Sequence, residues 1–209
     1  WTEAPRGLVA LHWLHCAARA YPRTPYVGRA CDSAWVQAAG VALMLRATLP
    51  WLGKPYEAVI GRLRAFDWSD HADRQQVLMR RHCGTLQPEE APAPAPLQSA
   101  LSAYFGGRLD AISGLPWATA GTAFQRRVWQ ALTEIPPGST LSYGALAARL
   151  GMPTASRAVG LANGSNPVGL VVPCHRVIGA DGRLTGYGGG IERKRWLLRH
   201  EGAAFVDRV

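Results

Sequence analysis

Apolar residues recur at helical spacing most clearly in the second half of the chain. Phe124, Val128 and Leu132 fall four residues apart, Thr122 stands where a cap is needed, and Ile135-Pro136-Pro137-Gly138 is a firm stop, so a helix is predicted over 124–132. Ser142 to Leu150 predicts a short helix, Gly151-Met152-Pro153 a turn, and Thr154 to Asn163 a second short helix, together a helix-turn-helix pattern. The apolar run Val168 to Val172 predicts a short buried strand that ends at Pro173, which has no N–H to give to a ladder. Gly179 to Gly182 predicts a turn, and Leu184 to Ile191 a glycine-rich loop with one aromatic, Tyr187. Glu192 to His200 predicts a final helix that packs Trp196, Leu197 and Leu198 and leaves Arg193, Lys194, Arg195 and Arg199 solvated.

The first half is less regular. Ala58 to Trp68 predicts a strand or hairpin arm, with Leu63 and Ala65 alternating with arginines. Asp73 to His82 predicts a helix with Val77 and Leu78 inward. Gln87 to Pro96, with its alternating prolines, predicts a solvated loop. Leu97 to Phe105 returns to helical spacing, with Leu97, Leu101, Tyr104 and Phe105 on one face and Gly106-Gly107 as its end. Gly114 to Gly121 has the composition of an interdomain connection. Residues 1–55 show weak periodicity, and a helix over Ala34 to Leu49 is the expectation there.

Composition adds a partner class. The 209 residues carry a formal charge of +9, and the part from Gly121 onward holds eleven basic against five acidic residues, two thirds of that surplus. This balance suits a polyanion such as nucleic acid or a membrane surface. Four irregularly spaced cysteines do not make a disulfide framework and predict a reducing, cytoplasmic setting. Nothing has the form of a secretory signal, and the most apolar piece, Ala34 to Leu45, is too short to span a bilayer. His12, His15, Cys16 and Cys31 fit no common zinc spacing, so no metal is expected.

The chemistry centres on Cys174-His175-Arg176. A lone cysteine at a strand end is more often a packing residue than a nucleophile. Here an imidazole follows it directly and could take the thiol proton, and Arg176 adds charge that favours the thiolate. Neighbours in extended chain point to opposite sides, so direct contact needs a turn and a water relay is the natural alternative. The second helix of the pair places Arg157 among Ala155, Ser156, Ala158, Gly160 and Ala162, a low surface with one long cation, suited to wedging into a duplex. Glu201 can sit in water or orient His175 from across the fold.

Pro173-Cys174-His175-Arg176-Val177-Ile178, with Ser142-Tyr143-Gly144, Ser156 to Gly160, Asn163 to Pro167, Tyr187 to Gly190 and Trp196 to Glu201 in that order, resembles the O6-alkylguanine-DNA alkyltransferases over about 121–202. The resemblance implies an α/β (α+β) chain. It would comprise a poorly assigned region 1–55, the remainder of a small mixed-sheet, ribonuclease-H-like domain over 56–117, and a mostly helical winged-helix or helix-turn-helix-like domain over 118–209. Residues 1–55 do not resemble the family's opening strands. The resemblance further implies direct, single-use transfer of an alkyl group from O6 of guanine, or O4 of thymine, in duplex DNA to Cys174, with the base flipped out. His175 would deprotonate Cys174 through water, Glu201 would hold the imidazole, and Tyr143 would support protonation of the departing guanine. Thr154, Ala155, Ser156, Arg157 and Asn163 would meet DNA in the minor groove. Val177, Tyr187, Gly188 and Gly189 would line the base pocket, and Asn166 would bridge the helix pair and the Cys174 segment. Gly188 stands where some relatives place a hydroxyl, so a backbone N–H would serve the guanine oxygen. No cofactor or metal, no membrane and a monomer are implied. A helix-turn-helix regulator, a lesion-binding protein without transfer, and a cysteine hydrolase are the other readings; the regulator leaves Cys174, His175 and Tyr187 without a task.

Overall fold

The computed structural model describes residues 9–12, 41–46, 62–68, 71–83, 89–90 and 95–207. Strands β1 (Val9–His12), β2 (Val41–Arg46), β3 (Arg62–Trp68) and β4 (Glu89–Glu90) form a mixed sheet in the order β3-β2-β1-β4. The β1–β2 and β2–β3 pairs are antiparallel, and β1 with β4 is parallel. Two expectations are corrected here. Val41–Arg46 is a strand rather than part of a helix over Ala34 to Leu49, because an apolar run this short fits either period and pairing on both sides decides it. Residues 1–55 do supply opening strands, β1 and β2. Of the four zinc candidates, His15, Cys16 and Cys31 lie outside the described residues, and only the backbone of His12 is described.

In β3, Leu63 and Ala65 are buried while Arg62 is exposed, as the alternation predicted; from Phe66 to Trp68 every residue is buried. Helix α1 (Ala72–Cys83) buries Gln75, Leu78, Met79 and His82, a stripe at helical spacing. Val77, expected inward, falls off that stripe and is 48% exposed. The stretch Gln87 to Pro96, expected as loop, contributes β4 and the first turn of α2 (Ala95–Phe105), where Pro96 is tolerated because its missing N–H would have had no helical partner. Helix α2 buries Leu97, Tyr104 and Phe105 and ends at Gly106-Gly107, the latter at φ +99°.

Helix α3 (Ala123–Thr133) starts on a reciprocal capping box between Thr122 and Gln125. Trp129, fully buried, donates its indole N–H to the Ala162 carbonyl at 2.8 Å and so locks α3 to the helix pair. A two-stranded parallel sheet follows, β5 (Leu141–Ser142) with β6 (Val177–Ile178). Ser142 caps α4 (Tyr143–Arg149), and α5 (Ser156–Gly164) starts two residues later than expected because Met152 to Ala155 closes as a turn. Helix α6 (Ile191–His200) ends at Glu201.

The predicted strand over Val168 to Val172 is not formed. Those residues make turns, with Val172 N–H donating to the Val168 carbonyl and Leu170 at φ +66°. The cause is Asn166. Its Oδ1 accepts from Val168 N–H at 3.0 Å and its Nδ2 donates to the Val172 carbonyl at 2.8 Å, so a side chain satisfies the groups a ladder would have used. Burial, which the apolar run did signal, is nearly complete.

One cluster of buried side chains crosses the expected boundary at 117/118, joining Leu63, Phe66, Trp68, Leu97 and Tyr104 to Val128, Trp129, Val172 and Leu197. The backbone joins the same parts. Leu63 pairs with the Pro116–Ala118 stretch, and Phe66 N–H donates to the Pro167 carbonyl while its own carbonyl accepts from Gly169. Strand β3 thereby holds the chain that leads into Cys174. No helix among the described residues is long and apolar enough to cross a membrane.

Candidate active site and nucleic-acid interface

Cys174 to Arg176 form one turn of 3-10 helix, so the nucleophile candidate sits on a tight turn instead of a strand end. That turn supplies the bend which an extended chain would have denied the Cys174-His175 pair. Pairing of β5 with β6 brings Tyr143, at the start of α4, to the same end of the fold as this turn.

His175 is fully buried, and its Nε2 lies 3.0 Å from Glu201 Oε1. Glu201 is buried as well, which overturns the solvated alternative for it. Arg176 grips the same carboxylate twice, Nε to Oε2 at 2.9 Å and Nη2 to Oε1 at 2.8 Å. Tyr104, from α2, donates its hydroxyl to Oε1 at 2.7 Å. Burial pushes the Glu201 carboxyl up, but the hydrogen bonds and charges of His175 and Arg176 outweigh it and hold the group well below the usual carboxylate range. Burial lowers the basicity of His175, against the opposing pull of Glu201. The ionised state is therefore Glu201 with Arg176, and the imidazole beside them is neutral. With Nε2–H donating to Glu201, the other ring nitrogen carries the lone pair; Nδ1 is buried and has no hydrogen-bond partner among the described residues.

Arg176 was expected to favour the Cys174 thiolate. It is committed to Glu201 instead. Burial pushes the Cys174 thiol up, and the groups opposing this are the Asn166 hydrogen bond and the charges of Arg74 and Lys194. Cys174 is 5% exposed and is a free thiol. In its resting state it is protonated and needs a base.

Lys194 corrects another expectation. Placed among the solvated residues of α6, it is 0% exposed, and its Nζ donates to the carbonyls of Val177 at 2.6 Å and Thr185 at 3.4 Å. Burial pulls the ammonium down to about 8, with Cys174 acting against that. Arg193 lies over the Trp68 ring, and Arg195 pairs with Glu192 and Asp207; of the four, Arg199 stays largely exposed. Lys194 thus ties the buried Val177 strand to the loop that carries Tyr187. Tyr187 stands edge-on to His175, with ring centroids 6.4 Å apart. Tyr143 shares a hydrogen bond with Thr185 Oγ1 at 2.9 Å, and burial raises its hydroxyl.

The glycine-rich loop is held from the sheet side. A Cβ on Gly189 would lie 2.3 Å from Trp68 Nε1 and 2.7 Å from the Tyr187 ring, so only glycine allows this approach. A Cβ on Gly188 would meet the Arg74 guanidinium. Arg74, in α1, is ion-paired with Asp67 and donates to the carbonyls of Gly164 at 3.0 Å and Asn166 at 3.3 Å. Sequence reasoning missed Arg74, Lys194 and Tyr104, whose partners lie outside their own helices; a phenol in an apolar stripe was the one available signal, since a buried tyrosine hydroxyl needs a partner.

On the helix pair, Thr154, Ser156 and Arg157 are exposed and Ala155 is half-buried. Arg157 has no ion-pair partner among the described residues. Asn163, expected on the DNA-facing surface, is buried and donates to the Cys174 carbonyl at 3.3 Å, so it belongs to the scaffold of the Cys174 turn. Leu161, one turn beyond Arg157, is 74% exposed and was not anticipated. No group of three or more potential metal ligands occurs among the described residues.

Residues 123–203 match the family model described as 6-O-methylguanine DNA methyltransferase, DNA binding domain. The methylated-DNA–protein-cysteine methyltransferase of Salmonella typhimurium is 55% identical over 144 residues, 68% of this chain and 84% of the relative. The crystal structure of Mycobacterium tuberculosis O6-methylguanine methyltransferase superposes with a TM-score of 0.58 at 39% identity, covering 78% of this chain and 87% of that one. The structure of Mycobacterium tuberculosis OGT in complex with DNA gives 0.57 at 40% identity, covering 78% and 88%.

Proposed function

The chain belongs to the methylated-DNA–protein-cysteine methyltransferases, and from that premise we propose that Cys174 is its alkyl acceptor, activated by His175 and Glu201. The protein repairs DNA by alkyl transfer, and DNA is its partner. The observation that carries the residue assignment is the buried His175, fixed by Glu201 through Nε2 with Nδ1 left as the free basic nitrogen.

The reaction follows from these atoms. The Cys174 S–H proton passes through a water to His175 Nδ1. The sulfur attacks the alkyl carbon on O6 of a flipped-out guanine, an S–C bond forms and the C–O bond breaks. The departing guanine takes up a proton with the support of the Tyr143 hydroxyl. A thioether is a poor leaving group, so each molecule acts once. Val177, Tyr187, Gly188 and Gly189 line the base pocket, and Asn166 holds the Cys174 segment in register. No cofactor enters the balance.

Duplex recognition is assigned to Thr154, Ala155, Ser156 and Arg157. The exposed Arg157, on a helix of small residues, fills the gap left by the extruded base, and Leu161 adds an apolar contact one turn on. The finer architecture proposed is a small ribonuclease-H-like sheet unit up to 117 and a winged-helix-like unit from 118, in a monomeric, cytoplasmic protein that selects alkylated bases.

Incubation with a duplex carrying one O6-methylguanine, followed by mass measurement, is expected to show one added methyl on Cys174 and no further turnover. Binding without added mass would support a lesion-binding protein, and repeated turnover would support a hydrolase. Arg157→Ala is expected to slow repair in duplex by about tenfold, the equivalent of ~1.4 kcal/mol lost from base extrusion. Reaction with a free alkylated base should be unaffected; equal slowing of both substrates would contradict the wedge.

A further inference from the structure

We infer that Tyr104 is a positioning residue for the transfer, drawing charge from Glu201 so that His175 stays neutral and ready to accept the cysteine proton. The inference rests on the reading of Cys174, His175 and Glu201 given above, and goes beyond it by giving the sheet-bearing part of the chain a task in the chemistry.

Tyr104 lies in α2, 97 residues from Glu201, and is fully buried. Its hydroxyl reaches the same oxygen, Oε1, that accepts from His175 and from Arg176. The ring cannot swing away. It is wedged edge-on between Phe105, 5.2 Å away, and His200, 5.1 Å away, and its carbonyl takes the His200 ring N–H at 2.8 Å. Packing alone would be met by phenylalanine at this position. A phenol kept in a dry interior points to its hydrogen bond as the reason.

A carboxylate facing an imidazole alone would bind the imidazolium tightly and hold the histidine protonated. Further donors on the same oxygen dilute that pull. Glu201 is faced by His175, Arg176 and Tyr104; His175 is faced by Glu201, Arg176, Lys194 and Tyr187; and Tyr104 is faced by Glu201, Arg176, Tyr187 and His200. Removing the Tyr104 hydroxyl returns charge to Oε1. The protonated form of His175 gains, its pKa rises, and the rate, which falls as pH falls through that pKa, drops at a higher pH.

The test is Tyr104→Phe in the full chain, with single-turnover methyl transfer from an O6-methylguanine duplex measured between about pH 5 and pH 9. The acid limb should move up by about half to one pH unit, with a three- to tenfold lower rate on that limb and an unchanged plateau. In a Glu201→Gln background the same substitution should leave the limb where it is. NMR titration of His175 should show the same upward movement whether or not methyl transfer is followed. Superimposable profiles and titrations for the parent and Tyr104→Phe, with only the melting temperature changed, would overturn the inference and leave Tyr104 a packing residue. A parent protein that gains no methyl at all would instead refute the functional reading, with the His175 titration still deciding the role of Tyr104.

Discussion

Cys174→Ala is expected to abolish alkyl transfer completely while holding duplex affinity within about threefold, or ~0.7 kcal/mol, of the parent. The two effects separate because the sulfur is buried in the 3-10 turn while Thr154, Ser156 and Arg157 lie exposed at the start of α5. Deleting one sulfur from the interior costs about 1 kcal/mol, small beside a domain's stability. Neither His175 nor any other candidate residue can replace the thiol as acceptor, because a neutral imidazole locked to Glu201 by one nitrogen is a base and a poor nucleophile here. Mass measurement after incubation with an alkylated duplex, alongside a binding titration, checks both halves. An alanine variant that still demethylates guanine would show that the acceptor lies elsewhere.

The second large effect is expected from Glu201→Ala. Three groups converge on this carboxylate, and all are buried: His175, Arg176 and Tyr104. Its removal leaves the Arg176 guanidinium in the interior with no counter-charge, a defect that costs about 3–5 kcal/mol. It also frees the imidazole to turn, so a loss of about 10²–10⁴ in transfer rate is expected, the range for an unpositioned general base. Glutamine should recover part of the stability and little of the rate. The pH dependence has a definite sign. The folded-state pKa of Glu201 is depressed, so its stabilisation is complete above the ordinary carboxylate value of about 4.3 and is lost as pH falls from there toward the folded value. Acid unfolding of the parent should therefore be steeper than that of Glu201→Gln in this window. Denaturant midpoints at neutral and acid pH measure this, and equal acid sensitivity in the two proteins would contradict it.

Local signals made much of the helical part legible. The Thr122 cap and the four-residue spacing of Phe124, Val128 and Leu132 are short-range features, and the helix they predicted is present within one residue at each end. The errors have a common source in side chains that act at a distance. Val168 to Val172 has the composition of a buried strand, and it is buried. What denies it a ladder is the Asn166 amide, which no periodicity reports. Lys194 carries an ordinary surface residue's name, yet two carbonyls from separate segments receive its ammonium. Arg176 was assigned to the nearest functional atom in sequence, Cys174, whereas its partner lies 25 residues on. Val41–Arg46 shows the remaining weakness, since a run of five apolar residues ending in an arginine satisfies either period until a partner strand is known. For the candidate site, the cysteine and histidine stood out on chemical grounds. Glu201 became a specific expectation only through resemblance, because nothing local distinguishes a carboxylate after a helix from one in water.

The protonated, enclosed resting state of Cys174 has a bearing on how a single-use reagent survives until it is needed. Glu201 follows α6, and the imidazole has no fixed orientation until that helix has docked against the Cys174 turn. Once the chain is folded, burial keeps the sulfhydryl protonated and out of reach of stray electrophiles and oxidants, a protection that the unfolded chain lacks. The docked α6 therefore carries two duties at once, closing the interior over the thiol and setting the base that wakes it.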